Sequence, residues 1–169
     1  MFFYEIIGTI VSSGTRTVVS GMLGALKKKE CSQAFSMSLI VGIGISTLMT
    51  LLTILFSKSL SMLLGARESM VLIPTANYLI GYAVGLPFFT GHRILTPYLQ
   101  MEGDYKRINI SAYVMTIVDI VADILVVFVF KGGMLGIGLA TSVGYIVAFM
   151  ILVSHFFSKE RHSIFNFYD

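Results

Sequence analysis

Asp119 and Asp123 stand four residues apart in INISAYVMTIVDIVADILVVFVF (Ile108–Phe130), a segment of 23 residues that is otherwise apolar or weakly polar. At about 1.5 Å per residue a helix of this length crosses a hydrocarbon core of about 30 Å with some tilt, which sets Asp119 near mid-bilayer. A carboxylate there costs at least ~2.5 kcal/mol on the mildest insertion scale, so acids in such positions usually mark an ion or substrate path. At about 100° per residue, Asn109, Thr116, Asp119 and Asp123 fall within about 80° of one helix face, and Tyr113 flanks it. Lipid does not tolerate that face, so it points into a bundle or a wet cavity. Two carboxylates one turn apart do not both ionise cheaply in a low dielectric, and such a pair titrates as a coupled unit. It can hold a proton near neutral pH, coordinate Na⁺ through the oxygens of Asp119 and Asp123, or attract an organic cation. The competing reading is interhelical glue made by protonated aspartates; two acids on one polar stripe favour the ion path.

Thr141 lies midway along the next apolar run, in Gly136-Ile-Gly-Leu-Ala-Thr141, across a connection of only Lys131–Gly133. Its hydroxyl either meets the aspartates across that hairpin or bonds the carbonyl four residues back, as threonines in membrane helices commonly do. His92 and Arg93, near a helix end, read as interfacial anchors. The sequence holds no His-Glu-x-x-His, no Gly-x-Ser-x-Gly and no phosphate-cradling glycine loop, so an enzyme is not expected, nor a cofactor. Cys31 is the sole cysteine, which rules out a disulfide framework and a cysteine metal centre.

The elements that carry these residues are membrane spans. Of the 169 residues 56% are hydrophobic and 12% charged, with a mean hydropathy of +0.85, whereas a soluble domain carries roughly 25% charged residues. The chain is therefore expected to be an all-α integral membrane protein, a polytopic bundle of about five helices in one partial lobe over 1–169. The helices fall at approximately 2–26, 34–57, 69–99, 108–130 and 132–157; the first is the weakest, because Glu5 and Arg16 interrupt it. The N-terminal MFFYEIIGTIV has neither a basic n-region nor a clean cleavage site and reads as starting inside a helix, so a piece of a longer chain is expected.

The net charge of +3 is small and the basic residues form short clusters, which fits an orientation bias rather than a nucleic-acid surface. Lys27–Lys29, Arg93, Lys106, Arg107, Lys159 and Arg161 gather on one side, against Lys58, Arg67 and Lys131 on the other. Eight against three places the first group in the cytoplasm. Small residues recur every fourth position in Gly136, Ala140, Gly144 and Ala148, and in Ala34, Ser38, Gly42, Ser46 and Thr50, the pattern that lets membrane helices approach closely. Pro87 falls mid-span, where it removes a backbone bond and kinks the helix, a geometry found beside transport cavities. Tryptophan is absent, so Tyr78, Tyr98, Tyr105 and Tyr168 are expected to form the interfacial belt.

Taken in order, Leu63-Leu-Gly-Ala66, Asn77-Tyr-Leu79, Gly85-Leu-Pro87, Leu99-Gln-Met-Glu-Gly-Asp104, the Asp119/Asp123 pair and Gly136-Ile-Gly-Leu-Ala-Thr141 resemble the multidrug and toxic compound extrusion (MATE) transporters over nearly the whole chain. The resemblance implies helices two to six of the N-terminal lobe, with the first helix and the second lobe missing. It matches Asp123 to the family's acid on the fifth helix and Thr141 to its threonine on the sixth. Asp119 stands where the family usually has Asn. These groups, with an acid on the first helix, are expected to bind the coupling H⁺ or Na⁺. The resemblance further implies export of small, often cationic compounds across a plasma (cytoplasmic) membrane, in a prokaryote, with lipid bilayer and small-molecule substrate as partners and no nucleic acid. A lipid-linked polysaccharide flippase of the same superfamily, a non-transporting membrane assembly subunit and a truncated, inactive reading frame are the alternatives.

Overall fold

The computed structural model describes residues 28–66 and 68–156, with positions 9, 13, 14 and 17. The expected helix over 2–26, Arg67, the end of the last helix at 157, Lys159–Arg161 and Tyr168 lie outside the described residues. Within them the chain is helical and no strand occurs. Helix α1 (Lys28–Leu55) is followed by the short α2 (Ser57–Leu63), by α3 (Ser69–Ala83) and α4 (Leu86–Met101), by α5 (Tyr105–Leu125) and by α6 (Gly133–Val153). Three helical stretches, Gln33–Leu55, Tyr105–Phe130 and Gly133–Val153, are each long and apolar enough to cross a membrane. Helices α3 and α4 together make a fourth, bent by 48°.

Glycines set the ends of two helices. After α2, Gly65 takes φ +97°, and the Ala66 N–H reaches back to the Ser61 carbonyl at 3.0 Å. After α4, Gly103 takes φ +78°, the Asp104 N–H bonds the Leu99 carbonyl at 2.9 Å, and the Gly103 N–H bonds Gln100 at 3.1 Å. Both are Schellman closures, which need a left-handed residue that only glycine adopts without steric cost. The motifs Leu63-Leu-Gly-Ala66 and Glu102-Gly-Asp104 are thus helix stops. Asp104 then starts α5, its carboxylate accepting from the Arg107 backbone N–H at 3.3 Å.

That turn is clamped to the end of α6. His155, 3% exposed, places Nδ1 2.7 Å from Asp104 Oδ2 and pairs Nε2 with Glu102 Oε2. Arg107 adds Nε 3.3 Å from the Asp104 carboxylate, and one of its guanidinium N–H groups donates to Ser154 Oγ at 3.4 Å. Burial by itself raises the Asp104 carboxyl, but the hydrogen bond from His155, the Arg107 backbone N–H and the charges on both side chains outweigh it. They hold the carboxyl below the usual carboxylate range.

The kink expected at Pro87 is a break at Val84–Gly85, with Pro87 in the first turn of α4, where its missing N–H is least harmful. Pro87 still leaves the Ala83 carbonyl without its helical donor, and Thr50 Oγ1 from α1 supplies one at 2.9 Å. The Gly85 N–H turns to the Tyr82 carbonyl at 3.1 Å, which frees the Gly81 carbonyl; Ser142 Oγ from α6 donates to it at 2.6 Å. Each backbone group left unpaired at membrane depth costs several kcal/mol, so a break survives there only when neighbours satisfy it in this way.

Both small-residue stripes lie at helix crossings. A Cβ on Gly42 would strike the end of the Ile94 side chain, which seats α1 on α4. On α6, Gly136, Ala140, Gly144 and Ala148 are all buried. A Cβ on Gly136 would meet Val126 Cγ1 at 2.5 Å, and one on Gly144 would meet the Met115 carbonyl at 3.3 Å and Asp119 Cβ at 3.6 Å, so this stripe packs on α5. Val126 belongs to a π-helical turn, Val126–Phe130, that ends on Lys131 in the left-handed region at φ 48°. The core joins Phe35, Leu39, Ile94, Leu95, Tyr98, Leu99 and Leu152 from α1, α4 and α6.

Candidate cation site

Asp119 and Asp123 face the crossing of α5 with α6, both half-buried. Each keeps one carboxylate oxygen, Oδ1, shielded from solvent and without a hydrogen-bond donor. A buried carboxylate lacking a donor is a high-energy arrangement, and a proton or a cation relieves it. Among the described residues no group of three or more His, Cys, Asp or Glu is placed to hold a metal ion, so oxygens completing a Na⁺ shell here would come from hydroxyls or carbonyls.

Hydroxyls are at hand. Thr141 Oγ1 bonds its own Ile137 carbonyl at 3.4 Å, the local alternative the sequence leaves open, and it also lies in hydrogen-bonding reach of Tyr78. Tyr78 in turn is within charge–charge range of both Asp119 and Asp123. Thr141 therefore joins the acids by way of a third helix, α3. Tyr78, Tyr82 and Tyr145 form an aromatic wall there: the Tyr78 and Tyr82 rings stack at 6.1 Å, and the Tyr82 and Tyr145 hydroxyls lie 3.4 Å apart. Phe89 closes it, 4.8 Å from the Tyr145 ring. Two carboxylates on one helix face, within charge–charge range of a phenol, suit a cation, whose charge the acids attract.

The other residues of the polar stripe stand apart. Asn109 and Thr116 are exposed, Tyr113 is 71% exposed, and the Thr116 hydroxyl bonds the Ala112 carbonyl at 3.1 Å. Pro87 is half-buried at the α3–α4 break rather than beside the acids. The interfacial belt needs correction: Tyr98 is 1% exposed against Phe35, their rings 4.4 Å apart, and Tyr78 is half-buried in reach of Thr141, while Tyr105 is 59% exposed. His92, read from the sequence as an anchor, pairs its Nε2 with Ser111 Oγ at 3.1 Å and ties α4 to α5. Arg93 stacks over the Phe89 ring at 5.1 Å. Both line a separate recess of about 390 Å³ between α4 and α5.

A bent, all-helical bundle with paired acids on a spanning helix is a multi-pass membrane protein of transporter-like architecture. The sequence profile of the MatE family matches residues 1–129, and the chain belongs to that family. It is 25% identical over 154 residues to the multidrug export protein MepA of Staphylococcus aureus (strain NCTC 8325 / PS 47), and equally so to MepA of Staphylococcus saprophyticus. Each match covers 91% of this chain and 34% of the relative, so the chain spans about a third of the length of these proteins. Among solved structures, an inward-facing multidrug resistance MATE family transporter of the MOP superfamily superposes with a TM-score of 0.82 over 97% of this chain and 38% of its own, at 20% identity. That likeness shows the fold.

Proposed function

We propose that these helices form part of a secondary antiporter in a prokaryotic cytoplasmic membrane, exporting small, often cationic compounds in exchange for H⁺ or Na⁺. Asp119 and Asp123 bind the coupling cation, with Thr141 and Tyr78 as neutral oxygen partners. Family membership and the multidrug-export names of the relatives support the transport reading. The observation that carries the cation site is the pair of shielded Asp119 and Asp123 oxygens without donors, on a spanning helix.

The coupling follows from electrostatics. When the pair holds H⁺ or Na⁺ its negative charge is reduced, and an organic cation beside it loses its attraction; when the coupling cation leaves, the acids attract the organic cation again. Exchange results if the two occupancies exclude one another and favour different conformations of the protein. Efflux of a fluorescent organic cation from vesicles tests this under imposed pH or Na⁺ gradients. Efflux driven by one of the two gradients supports the reading; efflux indifferent to both contradicts it.

A further inference from the structure

Ser142 follows Thr141 on α6, about 100° round the helix, and faces the end of α3 at the α3–α4 break. It is 1% exposed, and its hydroxyl donates to the Gly81 carbonyl at 2.6 Å and to the Tyr82 carbonyl at 3.3 Å. The backbones are in contact on both sides of it. A Cβ on Gly85 would lie 2.7 Å from both Ser142 Cα and Oγ, and a Cβ on Gly81 would lie 2.8 Å from the Leu139 nitrogen. Gly81 and Tyr82 are three and four residues beyond Tyr78, so they share its side of α3 one turn along.

We propose that Ser142 is a positioning residue of the cation site: by binding the Gly81 and Tyr82 carbonyls it fixes the register of α3 on α6 and keeps the Tyr78 phenol in reach of Thr141 and within charge–charge range of Asp119 and Asp123. The proposal rests on the cation-site reading above and extends it to a residue that does not touch the acids. A slip of α3 by one residue, about 1.5 Å along its axis, would lengthen both serine bonds and carry Tyr78 away from Thr141. Two glycine contacts bring the helices together but donate nothing to the freed carbonyl, and apolar packing alone resists sliding weakly. The serine supplies a directional bond at that point. Thr50 serves the same break from the opposite side, at Ala83, but it comes from α1 and has no path to Tyr78 through α6.

The test is the half-saturating concentration of coupling cation for dye efflux by the full-length protein. Ser142→Ala should raise it by about threefold to tenfold, within the roughly twofold to thirtyfold span of effects for residues that modulate a site without touching its ligand. Ser142→Cys, which keeps a weaker donor, should fall between, and it stands in if the alanine variant does not fold. Thr50→Val should lower the melting temperature and leave half-saturation unchanged. In a Tyr78→Phe background Ser142→Ala should add no further shift, as expected if the serine acts through that phenol. Unchanged half-saturation in folded Ser142→Ala or Ser142→Cys, an equal shift in Thr50→Val, or full additivity with Tyr78→Phe overturns the proposal. Asp123→Asn separates the two levels. Cation dependence that survives it removes the site and this inference together. Dependence that is lost, with no shift in the serine variants, contradicts the inference alone.

Discussion

Gly81 on α3 and Gly138 on α6 face each other with no room for a side chain between them. A Cβ on Gly81 would sit 2.5 Å from the Leu135 carbonyl oxygen, and one on Gly138 would strike the Tyr78 carbonyl oxygen and sit 2.8 Å from the Tyr82 nitrogen. In both cases the obstacle is backbone, which cannot rotate aside as a flexible side chain can. This contact is what allows Tyr78 and Thr141 to share one site.

Gly138→Ala is therefore expected to force α3 and α6 apart, at the cost of about 1–3 kcal/mol that overpacking usually carries. Thermal melts of the purified protein in detergent should show a lower midpoint than wild type. Gly44→Ala, at a position inside α1 where a Cβ meets nothing within 4 Å, is the matched control and should melt at or above wild type, because alanine favours the helix. Equal midpoints for the two variants would contradict the packing.

The clamp at the α4–α5 turn predicts a pH dependence. The Asp104 carboxyl is held below its ordinary value in the folded protein, so its pairing stabilises at neutral pH, and that stabilisation is lost as pH falls through the carboxylate range. Asp104→Asn should melt below wild type at pH 7, and the gap should close below about pH 4, where the unfolded-state carboxyl protonates. A gap that stays constant to pH 3 would contradict the assignment.

His155→Ala makes a separate demand on the same clamp. It would leave the Glu102 and Asp104 carboxylates facing a space without their shared donor, and removing one partner of a buried ionic cluster typically costs about 3–5 kcal/mol. Protease resistance of the α4–α5 turn should fall in this variant. Resistance equal to that of wild type would show that the histidine is dispensable.

Orientation can be tested independently. The lysine and arginine asymmetry predicts Lys28 in the cytoplasm and Lys131, exposed at the end of the π-helical turn, outside. In a Cys31→Ser background, a membrane-impermeant thiol reagent added to intact cells should label Lys131→Cys and spare Lys28→Cys. Labelling at position 28 alone would invert the topology.

The spans, the break near Pro87 and the acids on α5 were legible in the sequence because each leaves a local signature: an uninterrupted apolar run, a residue that lacks a donor, a charge where lipid should be. The partners were not legible. Tyr78 looks like any interfacial tyrosine until α3 is docked on α6, and Ser142 looks like one more small residue in a stripe that packs helices. Thr141 shows the same limit, since its hydroxyl bonds Ile137 and also reaches Tyr78, so neither local alternative was complete. His155 gives no signal at all without the turn that brings Glu102 and Asp104 to it. Side chains that act across a crossing are specified by the register of two helices, and one sequence read alone does not carry that register.

The central claim is that the carboxylate of Asp123 couples cation entry to export. Asp123→Asn replaces it with a neutral amide of the same size, which costs less to bury than a charge and so spares folding. The measurement is efflux of a fluorescent organic cation from vesicles holding equal amounts of full-length wild type or Asp123→Asn, under an imposed pH gradient and then an imposed Na⁺ gradient. Wild type should respond to at least one gradient, and Asp123→Asn should respond to neither while remaining in the membrane with an unchanged melting temperature. Gradient-driven efflux at wild-type rates in the asparagine variant would contradict the account and leave the aspartates as structural bonds between helices.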